Sequence, residues 1–291
     1  MIVLNKVRTA VKHLTYSARG QYSDVRGDYQ KVADTYDEYY SHNLEAAARQ
    51  FRGLLPWPEL ARPGLHLVEL AAGTGAITVP LAENLGADSV LTAVDISEAM
   101  LAENRRKTES GEHGVDYVVG DALEYLAAQP PNSVGALVCA WGVCYMNHPK
   151  LKRELTRVLQ PGAFLGIMEN RKGTLAELEA ILLDVITDDP RLLRRAIRLE
   201  LPKDGAYIAR RIVPDNGRVI ESLDAESGRT DSDTDDILAY LTKSGVASGY
   251  LDAIAPELYD DLLDGLRKRI EALGPRNVPI VHRYSIVTAH A

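Results

Sequence analysis

The run Leu67 to Gly75, Leu-Val-Glu-Leu-Ala-Ala-Gly-Thr-Gly, constrains this chain most. An apolar stretch that ends in a glycine turn and passes at once into helix-compatible spacing over Ala76 to Leu85 is a strand feeding a helix through a tight loop. Gly73 and Gly75 can adopt backbone angles and close approaches that a Cβ blocks, which lets loop N–H groups face a ligand. Gly-x-Gly also occurs in ordinary strand-to-helix turns, so the segments downstream decide its meaning.

Those segments alternate. Ser89 to Val94 reads as a second strand ending at Asp95, and Ser97 can cap a helix running to about Lys107. Val115 to Val119 is a third strand ending at Gly120-Asp121, with a short helix through Ala128. Val134 to Ala140 and Ala163 to Met168 are the fourth and fifth, separated by a helix that Pro149 starts and Gln160-Pro161-Gly162 stops. Strands alternating with helices imply parallel pairing, and the expected fold class is α/β with a doubly wound sheet.

In such a sheet ligands bind at the carboxyl ends of the strands, so Glu69, Asp95 and Asp121 are carried to the same edge as the glycine loop. Asp95 follows Gly75 by about 20 residues, the spacing at which a carboxylate reaches the ribose hydroxyls of a bound nucleoside. A dinucleotide dehydrogenase also uses a glycine loop and a downstream acid. Its third glycine falls at Thr78 here, and Gly120-Asp121 has no role in that scheme.

From Leu65 to Glu169 the chain resembles the class I S-adenosylmethionine-dependent methyltransferases. The resemblance rests on Val68 to Gly75, on Val94 to Ser97 with Met100, on Gly120-Asp121-Ala122, and on Arg157 to Gly162. It implies a Rossmann-like sheet, mostly parallel with an antiparallel last strand, and S-adenosyl-L-methionine as cofactor. It implies that Glu69 orients the loop and the cofactor's amino end, and that Gly73, Thr74 and Gly75 pass the methionine moiety. Asp95 then holds the ribose, Asp121 and Ala122 meet the adenine edge, Ile96 lies against its face, and Met100 belongs to the same motif. Ala71 departs from the pattern, standing where the family usually has the first glycine of the loop.

After the fourth strand comes Ala140 to Pro149, which in the family lies beside the reacting methyl, with Trp141 as a contact to the methionine chain. Methyl transfer requires a nucleophile near-collinear with the leaving sulfur and, where it carries a proton, a base. Tyr145 and His148 are candidates for either task. Asn147 or His148 can equally serve as the cap of the following helix. Glu169 closes the fifth strand and can accept a proton or hold an amine, or it can pair with Arg171 or Lys172. Tyr36 and Tyr40, from a helix ahead of the first strand, and Arg171 are candidate substrate contacts; the alternative for the tyrosines is packing.

The flanks read less simply. Met1 to Ser23 holds Lys6, Arg8, Lys12 and Arg19 without an acidic residue, which suggests a flexible basic arm, with a targeting segment as the alternative. Two helices follow before Pro56, Pro58 and Pro63. Beyond Arg171, Thr174 and Glu177 have capping-box spacing, and an arginine-rich helix is expected after Pro190. Tyr207 to Val213 and Arg218 to Ser222 read as a hairpin, Asp224 to Asp233 as a loop, and Asp235 to Lys243 as a helix. Val246 to Ile254 is then expected as a strand, Pro256 to Leu273 as a helix and Val278 to Ala289 as the last strand. The expected organisation is an arm and helical cap over 1–61, a cofactor core over 62–170, an inserted helix/hairpin lid over 171–233, and the rest of the core sheet over 234–291. The insertion's arginines, among them Arg194, Arg195, Arg198, Arg210 and Arg211, suit an anionic acceptor or a solvated face.

Composition sets the remaining bounds. The chain has 291 residues, 46% hydrophobic, enough to bury a large core. Its net charge of -8 provides no global basic field for nucleic acid, and no apolar run is long enough to span a membrane. The two cysteines, Cys139 and Cys144, form no disulfide framework and fit the cytoplasm. The 7 histidines are scattered without ligand spacing, so no metal is expected. The reading is methyl transfer from S-adenosylmethionine to an oxygen or nitrogen of a small molecule, with carbon and sulfur open, no nucleic-acid or membrane partner, and a homodimer as an option. Aminocarboxypropyl transfer or cyclisation with the same cofactor, and a noncatalytic binding protein, are the alternatives.

Overall fold

A computed structural model gives the fold; it describes residues 2–109 and 114–291, and the side chains at 2–3 and 40–43 lie outside the described residues. The strands are β1 (His66–Leu70), β2 (Val90–Asp95), β3 (Val115–Val119), β4 (Val134–Ala140), β5 (Leu159–Asn170), β6 (Arg218–Arg229) and β7 (Ile280–His290). The helices are α1 (Ile2–Ala18), α2 (Val25–Val32), α3 (His42–Gly53), α4 (Trp57–Leu60), α5 (Thr78–Glu83), α6 (Glu98–Thr108), α7 (Ala122–Ala128), α8 (His148–Val158), α9 (Ala176–Asp188), α10 (Gly205–Arg211), α11 (Thr234–Lys243) and α12 (Tyr259–Leu273).

The strands form a 7-stranded sheet in the order β3-β2-β1-β4-β5-β7-β6. β1 to β5 pair in parallel, whereas β7 runs antiparallel to β5, with Gly166 opposite Thr288. The order reverses between β1 and β4, the switch point at which a ligand crevice opens above a sheet of this kind. β4 is buried along its whole length, as a strand covered on both faces must be.

The chain divides into two compact units. One comprises Leu44–Lys172, Glu200–Glu226 and Arg283–Ala291 and contains β1 to β5. Its main core joins Val68, Leu70, Leu137, Leu155 and Leu165 with Ile208 and Ile212 from α10. The other comprises Met1–Asn43, Gly173–Leu199 and Ser227–His282. In it α9, α11 and α12 close a core of Leu178, Ile181, Leu182, Ile237, Leu241, Leu262 and Leu266, and Gly265 permits α12 to approach Val185.

Several local expectations are corrected. The basic arm is a regular helix, α1. Thr174 and Glu177 do not form a capping box: Leu175 takes the cap position at φ 49 without a side-chain hydrogen bond. Pro190 does not start a helix. Leu192, Leu193 and Ala196 are buried instead in an irregular segment, and Arg194 and Arg195 both pair with Asp252 at 3.0 and 2.6 Å. Tyr207 to Val213 is not a strand, because Asp204 caps α10 by accepting from the Tyr207 N–H at 2.7 Å, and Ile208 and Ile212 then bury at helical spacing. The hairpin is therefore a helix followed by β6, which continues to Arg229 through the segment expected as a loop. Val246 to Ile254 forms turns, since Gly245 and Gly249 adopt φ 71 and 86.

Candidate functional site

The loop after β1 is built around Asp95. The Asp95 carboxylate accepts from the Gly73 N–H at 2.9 Å and the Ser97 N–H at 2.9 Å, while its carbonyl accepts from the Gly120 N–H at 2.9 Å. The ends of β1, β2 and β3 are thus tied together at one residue, through its carboxylate and its carbonyl. Burial holds the Asp95 carboxyl above its ordinary range, against the lowering effect of these N–H donors. Each carboxylate oxygen keeps a second lone pair, so ribose hydroxyls can be accepted without breaking the loop contacts.

Asn104, on α6, fastens the loop from beneath. Its Nδ2 donates to Gly73 O at 3.2 Å and Thr78 Oγ1 at 2.7 Å, and its Oδ1 accepts from the Tyr117 hydroxyl at 3.2 Å. Gly75, at φ 97, leaves room for it: a Cβ there would stand 2.7 Å from Asn104 Oδ1. Gly73, at φ 52, has nothing within 4 Å of its Cβ position, so the loop opens there onto free space. Lys107 Nζ donates to Thr74 O at 2.5 Å. Met100 is buried in the core of α6, and Ile96 is half-buried beside Asp95.

Glu69 lies at the end of β1 with 2% of its surface exposed, and its Oε2 is buried without a hydrogen-bond partner. Burial, with a smaller contribution from Asp95, pushes its carboxyl up to about 8. An orphaned buried carboxylate oxygen calls for a donor or a cation. Asp121 caps α7 through the Leu123 and Glu124 N–H groups at 2.8 and 3.0 Å, and Ala122 follows it half-buried.

On the other side of the switch point, Trp141 sits at φ 56 with its N–H on Met168 O at 2.8 Å. Gly142 packs directly on Ala71, whose methyl lies 2.3 Å from where a Gly142 Cβ would be. Glu169 is buried, accepting from the Cys144 N–H at 3.0 Å and from its own neighbour Asn170 N–H at 2.8 Å; burial pushes it up to about 7. The structure thus brings Glu169 to the loop carrying Tyr145 and gives it a loop-holding contact. Asn147, not His148, caps α8, with Oδ1 accepting from Lys150 N–H at 2.9 Å. His148 is fully buried. Its Nε2 meets Val143 O at 3.0 Å, and because a carbonyl only accepts, that nitrogen carries the proton. Nδ1 lies 3.1 Å from the Tyr207 hydroxyl and 3.6 Å from Glu200 Oε1.

Glu200 N–H on Cys144 O at 3.0 Å and Lys172 N–H on Pro202 O at 2.8 Å stitch the segment from Glu200 to Tyr207 onto the loops that follow β4 and β5. Arg171 belongs to the same unit, and its Nε is buried without a hydrogen-bond partner. Tyr36 belongs to the other unit, where it packs edge-on against Tyr29 at 6.2 Å; the Tyr40 side chain lies outside the described residues. Among the described residues no three of His, Cys, Asp and Glu are placed to hold a metal.

Asn104, Tyr207 and Glu200 escaped the sequence reading. Asn104 is one polar residue on a helix rich in them, and no spacing rule distinguishes it. Tyr207 and Glu200 meet His148 only through tertiary packing. Asp204, three residues before Tyr207, was a usable sign that Tyr207 begins a helix.

The residues present fit S-adenosylmethionine: Glu69 offers an orphaned acceptor for its ammonium, Gly73 an open approach, and Asp95 spare acceptor capacity for its ribose. Residues 67–162 match the family model of the methyltransferase domain. The ubiquinone/menaquinone biosynthesis C-methyltransferase UbiE of Hydrogenovibrio crunogenus is 32% identical over 162 residues, covering 52% of this chain and 59% of that protein. The chain thus spans less than two thirds of that relative's length. Among solved structures, a chain from the complex of the Haloferax volcanii Trm112 methyltransferase activator with a methyltransferase superposes with a TM-score of 0.54 at 15% identity, over 92% of this chain and 97% of that one. The [4+2]-cyclase SpnF superposes with a TM-score of 0.51 at 17% identity, over 99% and 95%. These two likenesses establish the fold. Residues 67–162 thus carry a methyltransferase domain, and over that span the chain is similar to the class I S-adenosylmethionine-dependent methyltransferases.

Proposed function

We propose that the chain transfers a methyl group from S-adenosylmethionine to an oxygen or nitrogen atom of a small molecule. The observation that carries this reading is Asp95, whose carboxylate ties the open Gly73 loop to the end of β2 and whose carbonyl holds the end of β3, beside the orphaned Glu69. The bound cofactor supplies an activated methyl on a sulfonium. Glu69 receives its ammonium, Asp95 its ribose, and Asp121 and Ala122 its adenine edge. Trp141 and the Gly142 turn, held by Met168 and Ala71, border the methionine chain.

The acceptor then lies against the loop from Trp141 to His148, the end of β5 and the segment from Glu200 to Tyr207. Glu169 holds that loop through Cys144, and His148 orients Tyr207. Tyr145, 37% exposed on that loop, is the candidate contact to an incoming nucleophile. Arg171 suits a carboxylate or phosphate on the acceptor through its planar donor fork.

Calorimetry with S-adenosylmethionine and S-adenosylhomocysteine tests the cofactor assignment; absence of binding to both overturns it. Mass spectrometry after incubation with an acceptor panel tests the reaction. The panel should include aromatic quinols as well as hydroxyl and amine compounds, since the UbiE relative is named a C-methyltransferase. A gain of one methyl group supports the reading. A gain of a larger fragment of the cofactor contradicts it.

A further inference from the structure

α1 is amphipathic in the reverse sense to an ordinary surface helix. Asn5, Lys12 and His13 face inward: Asn5 Nδ2 donates to Asp188 O at 2.7 Å, Lys12 Nζ to Pro190 O at 3.0 Å, and His13 Nε2 accepts from the Ile197 N–H at 3.1 Å. Leu4, Val7, Val11 and Leu14 recur at i, i+3, i+7 and i+10 and are 53%, 54%, 57% and 67% exposed. They form one continuous outward stripe. An isolated exposed leucine is ordinary, but a contiguous apolar stripe marks an interaction surface.

Its flanks are cationic. α1 contains Lys6, Arg8 and Lys12, Arg19 follows it, and none of its residues is acidic. Asp188 and Asp189, which lie beside α1, are engaged, Asp189 by Arg191 at 2.6 Å and Asp188 by Arg269. Among the described residues Lys6, Arg8 and Arg19 form no ion pair. The stripe also borders an open groove of about 770 Å³ lined in part by Val7, Arg8, Val11 and Arg19.

We infer that the outward face of α1 docks in the plane of an anionic lipid surface, with Leu4, Val7, Val11 and Leu14 among the acyl chains and Lys6, Arg8 and Arg19 at the headgroups. A helix with an apolar stripe and a basic flank is built for that interface. A second copy of α1 fits worse. It sets cation against cation, and one stripe of four aliphatic side chains is small beside the roughly 1,600 Å² that a specific interface buries. The chain's net charge of -8 does not oppose local docking, because charges beyond about 8 Å are screened at physiological salt. No described helix is long and apolar enough to cross a membrane, and docking in the interface requires no crossing. The inference departs from the sequence expectation of no membrane partner and is independent of the proposed methyl transfer.

The test is cosedimentation of the full chain with vesicles of equimolar phosphatidylglycerol and phosphatidylcholine, against vesicles of phosphatidylcholine alone. The expected result is binding to the first that weakens with salt, and at least tenfold weaker binding to the second. The exposed substitutions Val7→Ser, Val11→Ser and Leu14→Ser together should reduce binding to the anionic vesicles by a similar factor, with the thermal midpoint unchanged. Lys6→Glu with Arg8→Glu should do the same. No binding to either vesicle, equal binding to both, or a stable dimer that the serine variant dissolves would each overturn the inference.

Discussion

The methyl group of Ala71 occupies the space that Gly142 leaves by having no side chain: a Gly142 Cβ would lie 2.3 Å from it. Ala71 stands at φ 54, the left-handed region that favours glycine, which is why the family pattern has glycine at this place. The departure at 71 is accommodated across the switch point rather than within its own loop.

Gly142→Ala should therefore destabilise by about 1–3 kcal/mol through overpacking, although φ -130 suits alanine at that position. Ala71→Gly relieves the left-handed strain, roughly 1–2 kcal/mol, against a chain-entropy cost of about 0.5–1 kcal/mol. In the Ala71→Gly background the cost of Gly142→Ala should fall, leaving the contact with Cys139 Sγ at 3.2 Å. Urea unfolding of the four proteins measures the coupling. Equal costs in both backgrounds would show that the two residues do not compete for one space.

Gly73→Ala and Gly75→Ala should fail differently. At Gly75 a methyl collides with Asn104 and the backbone is left-handed, so stability should fall by about 1–3 kcal/mol. At Gly73 nothing is struck, and only the φ 52 strain of about 1–2 kcal/mol remains, but the methyl projects into the open space where the cofactor should lie. Thermal denaturation and cofactor calorimetry together separate them. Gly73→Ala should lose far more affinity for its loss of stability than Gly75→Ala.

Asp95→Ala should weaken binding of both S-adenosylmethionine and S-adenosylhomocysteine. It removes charged hydrogen bonds worth about 1.5–3 kcal/mol each and releases the Gly73 and Ser97 N–H groups. Asp95→Asn keeps an acceptor oxygen and should lose less. Unchanged affinity in a folded Asp95→Ala protein would remove the ribose assignment.

The buried acids set a pH dependence with a definite sign. Burial raises Glu69 from 4.5 to about 8 and Glu169 from 4.5 to about 7. Between these limits the native protein keeps protons that the unfolded chain has released. Unliganded stability should thus fall as pH rises from about 4.5 to about 8 and level off above it. Glu69→Gln should flatten the upper part of that slope. The ammonium proposed to sit at Glu69 favours the carboxylate, so cofactor binding at pH 7 should release protons. Calorimetry in buffers of different ionisation enthalpy counts them, and the Glu69→Gln protein should release fewer.

The sequence by itself determined the parallel part of the sheet and the edge at which its strand-end residues gather. Apolar runs of strand length, helices between them and an acid or glycine at each strand end are local signals, each contained within a few residues, and β1 to β5 follow them closely. Glu69, Gly73, Asp95 and Glu169 reach one edge because parallel strands share a direction. Only tertiary structure decided how that edge is held together. Asn104 reaches Gly73 and Thr78, His148 meets Tyr207, and Ala71 meets Gly142 across separations that no periodicity spans. It also decided that Tyr207 to Val213 coils and that α1 turns its apolar stripe outward. In both cases the local pattern allows more than one conformation or facing, and the free energy of burying particular side chains against distant neighbours selects among them.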